Sequence, residues 1–246
     1  MASTFVLGRQ CREELKTARR LGELATELRR RAQTQQKVDR GRPATVAVTA
    51  LFAKGWKGYF AVMLLAEHGY GADAMIVARS LTGLCIDLAY ICAEESDERA
   101  RDWIAVGRWA RRKMALGFGR ETADEHRTDW RAIGARVKRW IGRGAIKDRA
   151  KRGSCLDLYD VAYVHGSSFE HSDAWSSSSY LEWRSNDVLV KTSQSEAHVS
   201  NAVFIASFVF LRLCTIWGDF FGIASESTYQ KMHESWEGTF ARHTSE

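Results

Sequence analysis

Proline is almost missing: Pro43 is the only one in 246 residues. With no other locked φ or absent amide to interrupt them, helices can run long through nearly the whole chain. β-Branched stretches with alternating polarity are also scarce, which argues against extended sheets. The five cysteines, Cys11, Cys85, Cys92, Cys155 and Cys214, show neither CxxC spacing nor a small-scaffold framework. An odd and scattered set predicts reduced thiols and a cytoplasmic chain. The opening "MASTFVLGRQCREELK" has no basic region ahead of an apolar core, so no secretory signal is expected. Familiar catalytic motifs are absent as well. There is no Walker P-loop, no HExxH and no GxSxG, since "GSSFE" fails the last at its fifth position. "GYGADA", Gly69 to Ala74, fits GxGxxA in its letters but follows the helical "YFAVMLLAEH" instead of a strand, which excludes a dinucleotide turn.

What is present is enough apolar material for a sizeable core, at 45% hydrophobic and 11% aromatic residues. Helical periodicity recurs over Glu13–Val38, Thr45–Glu67, Ala72–Ala93, Glu98–Leu116, Asp124–Ile141, Leu156–Val164, Glu196–Phe221 and Thr228–Phe240. Thr122 with Glu125, and Ser193 with Glu196, fit the capping box that marks a helix start. The expected fold is all-α: one compact bundle of about eight helices over residues 1–246, with the first helix (9–40) a candidate separate arm. An irregular loop is expected around residues 167–195, where "SDAWSSSS" and "WRSNDVLVKTSQS" surround one short apolar patch. Asn201 to Ile223 is long enough to span a bilayer. Arg212 sits near its middle, where a charge costs about 2.5 to 3.5 kcal/mol on insertion scales, so a buried core helix and no membrane association are expected.

Charge is lopsided. The net value is +6, yet Arg99 to Arg152 holds 17 Lys/Arg against 6 Asp/Glu, a net +11, while Gly153 to Glu246 holds 5 against 12, a net −7. In "DWRAIGARVKRWIG", Trp130, Ile133, Val137 and Ile141 form an apolar stripe, with Arg131, Lys138 and Arg139 on the other side. Such a face suits the phosphates of RNA or DNA, or it is a solvated face that pairs with the acidic third of the same or another subunit. Complementary ends, together with Tyr229, Met232, Trp236 and Phe240 near helical spacing, predict a two-fold homodimer.

Two histidines in "YVHGSSFEHSDAWSSSS" invite a site. His165 and His171, with Glu170 and Asp173 as oxygen donors, have metal-type chemistry. Their spacing, however, turns the imidazoles about 240° apart on a continuous helix, so neither metal nor cofactor is expected. On that helix Tyr159, Tyr163, Ser167 and His171 form one i, i+4 row, from which His165 points away. On the apolar helix "AMIVARSLTGLCIDLAYICA", Arg79 and Asp87 share a row through Gly83 and need polar partners in the interior. They are either a structural ion network or part of a pocket in which Arg79 holds an anion opposite His171.

"ARSLTGLCIDLAYICAEESDERARDWIAVGRWARRKM", followed after a gap by "YDVAYVHGSSFEHSDAW", resembles the bacterial helical family called domain of unknown function 5677. The residues that carry the resemblance are Arg79, Ser80, Leu81, Tyr90, Tyr163, Ser168, His171 and Ser172. It implies an acidic residue four positions after the arginine, where Gly83 stands here, so that role is either lost in this chain or moved to Asp87. A weaker likeness is to the HEPN superfamily of helical ribonucleases in prokaryotic toxin and phage-defence systems, whose signature is Arg, four to six residues, then His. "RETADEH", Arg120 to His126, has that spacing, but Thr122 and Glu125 already explain it as a helix cap. This likeness implies a histidine acting as acid or base on a ribose hydroxyl or leaving oxygen while an arginine stabilises the phosphorane.

Three functions stay open. One is a ribonuclease-like effector with His171, Arg79 and Ser168 catalytic and Tyr163, Asp87 and Ser167 lining the substrate. The second is a non-catalytic module that binds nucleic acid or protein through Arg131, Lys138 and Arg139. The third is an enzyme or sensor for a small anion.

Overall fold

The computed structural model describes residues 6–241 apart from 36–38, 40, 95, 121–127, 142–144, 172–176, 184, 186, 192 and 224–225. Among the described residues it contains nine α-helices and one small hairpin: α1 (Arg9–Gln35), α2 (Pro43–Glu67), α3 (Gly71–Ala93), α4 (Ser96–Gly117), α5 (Trp130–Ile141), α6 (Ala145–Arg152), α7 (Val164–Glu170), β1 (Leu181–Trp183), β2 (Val188–Val190), α8 (Val199–Phe221) and α9 (Glu226–Phe240). The all-α bundle expected from periodicity is the fold.

Helices α2, α3 and α8 pack on one another at the centre. In α2 the buried positions, Ala44, Ala47, Val48, Leu51, Phe52, Gly55, Tyr59, Val62, Met63 and Ala66, recur at helical spacing, and Pro43 occupies a first-turn position that needs no amide. Phe52 stacks on Trp217 at 4.1 Å and Tyr59 on Phe210 at 4.0 Å, which locks α2 to α8. The buried Tyr59 hydroxyl donates to the Ala18 carbonyl at 2.6 Å and so ties α1 to the same core. Along Arg9–Gln35, α1 buries Leu15, Ala18, Leu21, Ala25 and Leu28, so the first helix packs on the core instead of standing off as an arm. Both α3 and α8 are long and apolar enough to cross a membrane, but half or more of each such stretch is buried inside the bundle. All five cysteines are free thiols.

Several elements differ from the sequence expectation. Helix α6 is an addition: eight residues dominated by charge leave no apolar stripe to read. Helix α8 begins at Val199 after a left-handed His198, and Glu196 accepts a hydrogen bond from the Gly8 amide instead of forming a capping box with Ser193. The Thr122–Glu125 cap and His126 lie outside the described residues. Asp129 caps α5, accepting from the amides of Arg131 and Ala132. The stripe of α5 is shifted by one position, with Trp140 buried beside Ile133 and Val137 while Ile141 is exposed. In α9, Met232, Trp236 and Phe240 are buried, so the aromatic stripe assigned to a dimer belongs to this chain's own core. Within the expected loop at 167–195, α7 continues to Glu170, and the apolar patch "VLV" becomes β2 of an antiparallel hairpin.

Candidate functional site

Helices α3 and α7 cross where Gly166 meets Arg79. A Cβ at Gly166 would lie 2.5 Å from the Arg79 Cβ, so only glycine permits this approach. One turn further on, Glu170 reaches Arg79, and its Oε2 accepts from Nη1 at 2.6 Å. From the other side the Tyr163 hydroxyl accepts from Nη2 at 2.7 Å, while the guanidinium carbon lies 4.4 Å from the centre of the Tyr163 ring. Residues Leu158–Tyr163, immediately before α7, form a π-helical segment whose wider turn breaks the simple i, i+4 row. Tyr159 and Tyr163 still stack, at 5.4 Å, and Lys147 of α6 sits 5.7 Å from the Tyr159 ring.

His171 follows α7 directly, its amide donating to the Ser167 carbonyl. Its Nε2 is 4.0 Å from the same Glu170 Oε2 that holds Arg79, and its side chain is 73% exposed. The two residues singled out from sequence, Arg79 and His171, therefore stand on either side of one carboxylate oxygen. Glu170 is the residue that sequence reasoning missed in this role, having entered there only as a metal oxygen. Tyr163, Gly166 and Glu170 fall at i, i+3 and i+7, the alternative helical face to the row through Ser167, and that spacing is the signal that could have found it.

The remaining predicted residues separate. Ser167 Oγ donates to the Tyr163 carbonyl at 2.7 Å and Ser168 Oγ to the His165 carbonyl at 2.9 Å, so both hydroxyls serve their own helix. Asp87 faces Arg149 of α6 instead of Arg79: Nε donates to Oδ1 at 2.8 Å, and Nη1 donates to the Trp140 carbonyl. Burial pushes the Asp87 carboxyl up to about 6, against the opposing pull of Arg149. Gly83, where the family resemblance implies an acid, faces Tyr163, since a Cβ there would touch the ring at 3.7 Å. His165 and His198 flank Phe169, with ring centres 6.0 and 4.9 Å away, and burial lowers the affinity of both imidazoles for a proton.

In the basic band, Arg139 is engaged. It and Arg136 share the buried Asp102 at 2.7 and 2.9 Å and also reach Glu98, clasping α5 to α4. Arg131 and Lys138 are exposed and form no ion pair among the described residues.

The fold and this site define a helical bundle with a surface cluster of arginine, carboxylate, tyrosine and histidine. A family model described as a family of unknown function (DUF5677) matches residues 45–188, more than half of the chain, and the chain belongs to that family. The match contains Arg79, Tyr163, Glu170 and His171. No curated protein and no solved structure matches it.

Proposed function

We propose that the protein acts on single-stranded RNA, with the cluster around Glu170 as a ribonuclease-like phosphodiester site. One observation carries the reading: Lys147, Tyr159, Tyr163 and Arg79 form an unbroken row of contacts, two stacked tyrosines with a cation at each end, that leads from basic helix α6 to the exposed His171. Cations beside stackable rings suit a strand whose phosphates and bases must be held together.

In this scheme the phosphate takes the place of Glu170 against Arg79. His171 accepts the proton of a ribose 2′-hydroxyl, the 2′-oxygen attacks phosphorus, and the 5′-oxygen leaves with a proton from solvent. Arg79 stabilises the charge on the phosphorane, and Tyr163 keeps the guanidinium in place. The five free thiols support a cytoplasmic setting for such an activity.

The test is cleavage of a fluorescent single-stranded RNA. His171→Ala should lower the rate by about 10²-fold or more while leaving the circular dichroism unchanged. Arg79→Ala should lower both the rate and the melting temperature, since Glu170 and Tyr163 lose a half-buried donor. Binding without cleavage in the unmodified protein would leave a nucleic-acid-binding module and overturn the catalytic reading.

A further inference from the structure

The hairpin has an open edge. β2 pairs with β1 in the register Leu181 to Val190, Glu182 to Leu189 and Trp183 to Val188, and no third strand joins them among the described residues. The Lys191 amide donates to the Tyr180 carbonyl at 2.7 Å, which fixes the alternation: Leu189 and Lys191 turn their backbone groups toward β1, and Val188 and Val190 turn theirs outward. Those outward groups bond to no other segment among the described residues. All three side chains of β2 are exposed, by 49%, 40% and 76% in order. An exposed apolar edge with unpaired amides and carbonyls is a template for another strand, and two strands alone are marginally stable in water.

We infer that this edge receives the β2 strand of a second copy of the chain, antiparallel and two-fold, to make a four-stranded sheet. The sequence "DVLVK", Asp187 to Lys191, is complementary to itself in that arrangement. About a two-fold axis at Leu189, Val188 faces Val190 of the other copy, so the outward amides and carbonyls of both strands pair. On the opposite face Asp187 meets Lys191 of the other copy twice, on either side of a Leu189 to Leu189 contact. Neither Asp187 nor Lys191 has an ion-pair partner within the chain among the described residues. A generic edge-binding peptide would not need this charge symmetry, whereas a second copy supplies both signs in register.

A ladder this short buries less than a standard interface, so the dimer should be weak and concentration-dependent, with a dissociation constant on the order of 10–100 µM. Sedimentation equilibrium of the full chain reads it directly. Val190→Pro removes an outward amide without touching the bonds to β1 and should weaken association by about tenfold or more. Asp187→Lys should weaken it as well, and adding Lys191→Asp to that variant should restore it by reversing both charges. Leu189→Cys should form a disulfide-linked dimer under mild oxidation, because facing residues across such a pair have Cβ atoms about 4.5–5.5 Å apart. A chain that stays monomeric to about 0.5 mM overturns the proposal. So does a dimer that Val190→Pro leaves intact, or a paired charge reversal that fails to rescue.

Discussion

Asp87 separates a structural charge from a functional one. Sequence reading put it beside Arg79 because both interrupt an apolar helix eight residues apart, yet the two face different neighbours, and Asp87 holds Arg149 of α6. Burial raises its carboxyl from an ordinary 3.8 to about 6. A carboxylic acid that is harder to ionise when folded favours the native state at low pH. Stability should therefore fall as pH rises from about 4 to about 6, by roughly 3 kcal/mol through this residue alone. Asp87→Asn keeps an oxygen acceptor for Arg149 and removes the titration. The difference between the urea-unfolding free energies of the two proteins should change over that window and be flat above it. His165 and His198 give the opposite slope, as burial makes their protonation costly and stability falls on acidification below their usual range. Because both proteins carry them, they cancel in the comparison, and a constant difference across pH 4–6 would rule out the Asp87 shift.

At the scale of elements, the long apolar helices were legible because their burial follows the 3.6-residue period, as in α2, α3 and α8. Helix α6 was not, since beyond Ile146 and Ala150, too short an apolar pair to read as a stripe, it is held by Arg149 on Asp87 and by the ring contacts of Arg149 and Lys147, which leave no periodic trace. The site was half legible. Arg79, Tyr163 and His171 stood out as polar residues in apolar surroundings, but the face of α7 that meets α3 runs through Tyr163, Gly166 and Glu170, so Glu170 stands where Ser167 and Ser168 were expected beside Arg79. Gly166 is what makes that partnership possible. Gly166→Ala should force α7 off α3, since the added methyl meets the backbone-proximal atoms of Arg79 instead of a flexible tip. The expected cost is about 1–3 kcal/mol, the usual range for overpacking. The Arg79 to Glu170 pair should open with it, so that activity on RNA drops along with the melting temperature. An unchanged melting temperature and rate would mean that the crossing is not tight.

Charge acts on the whole molecule. The net +11 between Arg99 and Arg152 overstates what is available to a partner, because Arg99, Arg136, Arg139 and Arg149 are occupied by Glu94, Glu98, Asp102 and Asp87. Arg108, Arg111, Lys113, Arg131, Lys138 and Lys151 are exposed and make no ion pair among the described residues. If this set meets the phosphates of a single strand, log affinity should fall with log salt at a slope of about −0.7 for each phosphate neutralised. Arg131→Glu together with Lys138→Glu should then weaken binding of every sequence alike and make that slope shallower by about one to two, with no change in melting temperature. Arg139→Glu should behave differently: it places a carboxylate against Asp102 and Glu98, loosens α5 from α4 and lowers stability even in the absence of RNA. Fluorescence anisotropy on a labelled RNA at several salt concentrations, beside thermal melts of the two variants, distinguishes the roles. Equal effects of both on binding, with melting temperatures unmoved, would mean that Arg139 is as available to a strand as Arg131 and that the clasp with Asp102 does not hold in solution.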